Sequence, residues 1–159
     1  MIGRRESIRM DRREQKQITL IILTIAMMVF IFIQSALPGN LSSSESNVIV
    51  RILAQITGVD PQILSFGVRK AAHFTEYMIL GGLLMADAAA WRRSTTDLKR
   101  PACAWAIAAL YAVSDEIHQY FVPGRVCALM DMGIDSAGAA AGVLIVYFIY
   151  RKNRKITRT

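Results

Sequence analysis

Four stretches of this chain are apolar over about the length needed to cross a lipid bilayer, and basic segments separate them. They run over residues 18–37, 71–91, 102–122 and 132–150. A helix needs about 20 residues to span the hydrocarbon core. A helix is expected because it satisfies its own backbone hydrogen bonds, which lipid cannot do. The 159 residues are 53% hydrophobic and 19% charged. A soluble domain would show about 45–50% and about 25%. The spacing therefore predicts an all-α membrane protein of four transmembrane helices. The formal charge of +7 raises nucleic acid as a partner. That class is excluded because the basic residues flank the apolar stretches, where anionic lipid and topology explain them.

Lys and Arg also orient the chain. The arm before Ile18 holds Arg4, Arg5, Arg9, Arg12, Arg13 and Lys16. The connection between the second and third stretches holds Arg92, Arg93, Lys99 and Arg100, and the tail holds Arg151, Lys152, Arg154, Lys155 and Arg158. These are fifteen of the 19 basic residues, and Arg51, Arg69, Lys70 and Arg125 fall on the other side. The positive-inside rule places both termini in the cytoplasm. The expected division is a cytoplasmic basic arm at 1–17, a membrane domain at 18–150 and a cytoplasmic basic tail at 151–159. The first stretch is longer than a signal-peptide core, and Ser35-Ala36-Leu37-Pro38 is a poor cleavage site, so it reads as a retained anchor.

The outer segment from Leu41 to Gly67 is expected to be amphipathic and helical. Ser43 or Ser44 can cap it. Val48, Ile49, Ile52, Leu53 and Ile56 then form an apolar face of helical period. Gly58 suits a helix stop, and Asp60-Pro61 reads as the cap and first residue of a second short helix. The face fits the surface of the outer leaflet, with a lid over the polar residues as the alternative.

Ionisable residues inside these stretches converge on one depth. A charge at mid-bilayer costs about 2.5–3.5 kcal/mol on insertion scales, which makes such a cluster a functional-site hypothesis. The second stretch opens with Arg69-Lys70-Ala71-Ala72-His73-Phe74-Thr75-Glu76-Tyr77. Steps of three and four stack 69, 73, 76 and 77 on one face, with Lys70 beside them. Glu76 lies roughly 8 Å into its span and Asp115 about 10 Å into the next. In the third stretch Tyr111, Asp115, His118 and Gln119 share a face, with Glu116 adjacent. Val122-Pro123-Gly124-Arg125 predicts a tight turn that presents an arginine fork suited to carboxylate or phosphate. The last stretch begins with Asp131 and Asp135, one turn apart, and continues through Gly138 and Gly142. That GxxxG step lets another helix approach closely, within the chain or in a homodimer. Asp87 needs no site: Arg92 lies too far round for a pair, and water at the inner face can reach the carboxylate.

Candidate catalytic residues are His73, Glu76, Asp115, Glu116 and His118. Either histidine could serve as general base, with Asp115 or Glu116 orienting it or acting as acid. Candidate substrate-binding residues are Lys70, Tyr77, Gln119, Arg125, Asp131 and Asp135, with Arg125 and Lys70 holding an anionic headgroup. His73, Glu76, Asp115 and His118 are also ligand types suited to a divalent metal such as Zn²⁺, although their spacing matches no standard zinc motif. Cys103 and Cys127 fall at opposite ends of the third stretch and should not pair.

These residues resemble the VanZ-like family of small bacterial membrane proteins. The resemblance rests on the Arg69–Tyr77 block, on Tyr111 through Asp115-Glu116 and His118-Gln119 to Pro123-Gly124-Arg125, and on Asp131, Asp135, Gly138 and Gly142. It covers about Ile31 to Tyr150. Ser35 before Pro38-Gly39 is similar to the polar end of the family's first span, and Ser136 stands where Asn is common. The resemblance implies a multi-pass protein of the bacterial cell membrane and a link to glycopeptide (teicoplanin) resistance. It supplies no reaction. The leading expectation is action at the outer leaflet on a lipid-linked or cell-envelope substrate, by hydrolysis or group transfer. The rivals are a non-catalytic accessory protein that binds envelope material, a small ion-coupled transporter, and a purely structural ion network. The absence of a repeated half weakens the transporter.

Overall fold

The computed structural model describes residues 11–91, 99–125 and 127–156, with the backbone alone for 39–47, 91 and 154–156. Arg4, Arg5, Arg9, Arg92, Arg93 and Arg158 lie outside the described residues. Five helices make up the fold: α1 (Arg12–Ala36), α2 (Gly39–Thr57), α3 (Pro61–Trp91), α4 (Lys99–Tyr120) and α5 (Leu129–Ile156). No strand occurs among the described residues.

Pro38 ends α1, because a residue before proline is pushed out of the helical region; Leu37 is extended at φ −70°, ψ 130°. Helix α2 starts at Gly39, earlier than the expected serine cap, so Ser43 and Ser44 fall inside it. Gly58 stops α2 in the left-handed conformation, at φ 71°. Asp60 caps the start of α3, its Oδ1 accepting from the Gln62 N–H at 2.7 Å. No second short helix forms there. Pro61 opens a 31-residue helix that continues through the whole second apolar stretch. At 1.5 Å per residue it is about 46 Å long, so it outruns a hydrocarbon core of about 30 Å.

Helix α3 packs most extensively on α5, because glycines remove the side chains between them. A Cβ at Gly138 would overlap the Phe74 carbonyl, one at Gly142 the Met78 carbonyl, and one at Gly81 the Ala139 carbonyl. The GxxxG pair is thus used within the chain, and a homodimer through Gly138 and Gly142 would require α3 to leave. Helix α4 closes the bundle with a flat alanine face. Ala104, Ala108 and Ala112 recur every four residues and are buried against Leu80, Met85 and Val143.

Helix α1 buries only Thr24, Ile31 and Ser35. Ile22, Ile25, Phe32 and Ile33 are each about half exposed or more. Such a face is stable only against lipid or another apolar surface. Among the described residues, α1 and α5 are long and apolar enough to cross a membrane. Helices α3 and α4 also have spanning length, but basic and acidic residues interrupt their apolar runs.

Candidate functional site

The bundle has two ends. At one, here the Lys99 end, α4 begins. At the other, the Pro123 end, a turn joins α4 to α5. Its Arg125 N–H donates to the Val122 carbonyl at 3.1 Å, and Gly124 takes φ 75°, as a type II turn demands.

Along α4 the buried alanine face runs on into Asp115, Glu116 and Gln119 near the Pro123 end. Asp115 is 3% exposed, and its Oδ2 accepts from Ser35 Oγ at 2.8 Å and from Gln119 Nε2 at 3.0 Å. Glu116 Oε2 accepts from the Ala128 N–H at 3.0 Å, just before α5 begins. The neighbouring carboxylates therefore look in different directions, one toward α1 and one toward α5. Asp135, fully buried on α5, lies with Oδ1 3.9 Å from His73 Nδ1. Glu76 Oε2 lies 4.0 Å from the same nitrogen. Both separations are too long for direct hydrogen bonds. The buried Tyr77 hydroxyl is in electrostatic reach of Asp115 but outside hydrogen-bond geometry.

Above this layer lies a cleft of about 230 Å³, lined in part by Arg69, Lys70, His73, Arg125 and Asp131. Lys70 is ion-paired with Asp131. Arg125 donates from Nε to the Leu37 carbonyl at 3.2 Å and from Nη2 to the Gln34 carbonyl at 3.0 Å. It thereby supplies donors to the end of α1, where helical carbonyls lack intrahelical partners. Burial pulls its guanidinium below the ordinary value, and the neighbouring Arg69 charge pulls the same way; Asp115, Glu116 and Glu76 oppose them.

The sequence-predicted residues thus divide. His73, Glu76 and Asp135 come together, and Lys70, Arg125, Asp131 and Gln119 line the cleft above them. Asp115, Glu116 and Tyr77 lie in the buried layer. His118 stands apart. Its ring stacks on Phe32 of α1 with centroids 4.4 Å apart. The tetrad of His73, Glu76, Asp115 and His118 therefore does not assemble, and no group of three or more His, Cys, Asp or Glu among the described residues could hold a metal ion.

Two participants stand outside the candidate catalytic and binding residues named from the sequence. Ser35 enters the Asp115 network directly, and its position just before Leu37-Pro38 was the available signal. Arg69 lines the cleft one turn before His73, on the stripe already identified. Asp87 has a partner after all, since Thr24 Oγ1 donates to its Oδ2 at 2.6 Å. Cys103 and Cys127 are free.

Six buried side-chain atoms have no hydrogen-bond partner among the described residues: His73 Nδ1, Tyr77 OH, Asp115 Oδ1, His118 Nδ1 and both Asp135 oxygens. Buried polar groups are normally paired, so each such exception needs a reason. Five of the six atoms belong to the layer beneath the cleft. A proton carrier with carboxylates on two sides can accept and return a proton, and hydrogen bonds in a ligand-free site are often long.

An all-α bundle with apolar outer faces and unpaired titratable groups under a basic cleft defines a membrane-associated helical protein. The VanZ/LLP1 family profile matches residues 20–150, and the chain belongs to that family. Neither the curated proteins nor the solved structures gave a match.

Proposed function

We propose that the chain crosses the bacterial cell membrane four times, with both termini in the cytoplasm and the Pro123 end at the outer leaflet. There it acts on a lipid-linked or other cell-envelope substrate by hydrolysis or group transfer. The observation that carries this reading is the unpaired, buried set of His73 Nδ1, Asp135 and Asp115 Oδ1 beneath an open cleft. His73 is the general base, because it lines the cleft and His118 does not. Asp135 and Glu76 stabilise its imidazolium once it takes a proton from water or an acceptor hydroxyl.

Lipids and wall precursors from cells with and without the protein, compared by mass spectrometry, test this. A species that changes with the wild type and not with His73→Ala supports catalysis. An unchanged profile sinks it and favours the non-catalytic accessory reading, in which the cleft binds envelope material and alters glycopeptide access. Topology is tested separately with an impermeant thiol reagent on intact cells. Cys127 should react, and Cys103 only after permeabilisation. The reverse pattern would place the cleft in the cytoplasm.

A further inference from the structure

We infer that Arg69 and Arg125 form a clamp for a phosphate ester in the cleft; this rests on the outer-leaflet reading above and names its substrate class. The cleft's charged side chains are unbalanced. Arg69, Lys70 and Arg125 line it together with one carboxylate, Asp131. That carboxylate is taken by Lys70. Lysine, the cation expected to hold the ligand alongside Arg125, is therefore already neutralised. Arg69 is half-buried and has no ion-pair or hydrogen-bond partner among the described residues. A second guanidinium, Arg125, is close enough to repel it. Asp115, Glu116 and Glu76 beneath the cleft draw on Arg125, but among the described residues no carboxylate forms an ion pair with either guanidinium.

The geometry of the donors narrows the anion. Arg125 uses Nε and one Nη2 hydrogen on α1 carbonyls, which fixes its plane and leaves three of its five donors. Arg69 brings a second fork from α3. A carboxylate has two oxygens in one plane and saturates a single fork. A phosphate ester has non-bridging oxygens in more than one plane and can take one fork from each of two elements. His73 lines the same cleft.

The test uses the full chain in micelles of a phosphate-free maltoside detergent. Thermal midpoint is followed against inorganic phosphate in one arm and against added phosphatidylglycerol in the other. Saturable stabilisation by phosphatidylglycerol alone identifies a lipid headgroup. Stabilisation by inorganic phosphate identifies a soluble phosphate ester. Either supports the clamp, provided Arg69→Ala weakens the apparent affinity about tenfold, as loss of a charge-assisted pair would. Arg51→Ala, which removes an equal charge from exposed α2, should change it less than about twofold. No stabilisation in either arm, or equal effects of the two variants, overturns the clamp. The reading beneath it is judged apart. If neither phosphate nor phosphatidylglycerol stabilises the wild type yet its cells keep the lipid change, only the clamp fails.

Discussion

The two halves of the bundle interior handle buried polarity in opposite ways. Toward the Lys99 end the polar side chains that reach the interior have partners on other helices. Thr24 donates to Asp87 at 2.6 Å and Gln17 to the Ala90 carbonyl at 3.1 Å. Glycine and alanine faces fill the rest. Toward the Pro123 end, Asp135, His73 and half of Asp115 lack partners among the described residues. Unpaired buried groups gathered under a cleft mark a place that a ligand or a reaction can use.

Four substitutions put that contrast at risk. Gly142→Leu drives a side chain into the Met78 carbonyl and should cost about 3 kcal/mol, at the upper end of overpacking effects. Loss of the folded fraction in detergent-solubilised protein would register it. Asp135→Asn should act in the opposite sense. Replacing a fully buried ionisable side chain by a neutral one of the same size should raise stability by about 1–2 kcal/mol while abolishing any lipid or precursor change. A lowered melting temperature would show that Asp135 is a structural partner instead. Thr24→Val removes a satisfied bond and strands Asp87, costing about 1–2 kcal/mol. Phosphate-dependent stabilisation should be unchanged, and an altered response would mean the halves are coupled. Trp105→Phe removes the indole N–H that reaches Ser136 at 3.2 Å on an exposed edge, and should cost only about 0.5 kcal/mol in thermal melts.

Much of this was legible in the sequence, and the limit has a physical cause. Helical period identifies which residues share a face, so the stripe through His73 and Glu76 and the GxxxG contact could be read directly. Period does not say which neighbour a face meets. His118 lies three residues from Asp115, about 60° round the helix. That offset is enough to turn it onto Phe32 instead of into the cleft. Arg125 and Ser35 become informative only when α1 is placed beside α4, a contact between residues 80 or more apart in the chain. The unbroken α3 was hidden by Asp60-Pro61, a start signal before a run too polar at Arg69 and Lys70 to look like one apolar helix. The charged residues gather toward the Pro123 end of the bundle, where they form both a satisfied network and an unsatisfied one.

The tie from Arg125 to the end of α1 has a consequence during synthesis. The carbonyls of Gln34 and Leu37 are made 91 and 88 residues before the arginine that binds them. At a translation rate of about 5–20 residues per second, that end of α1 waits roughly 5 to 20 seconds for its partner. The mouth of the cleft is thus among the last parts of the bundle to close. An insertion factor or a lipid that shelters the nascent first helix has that interval in which to act.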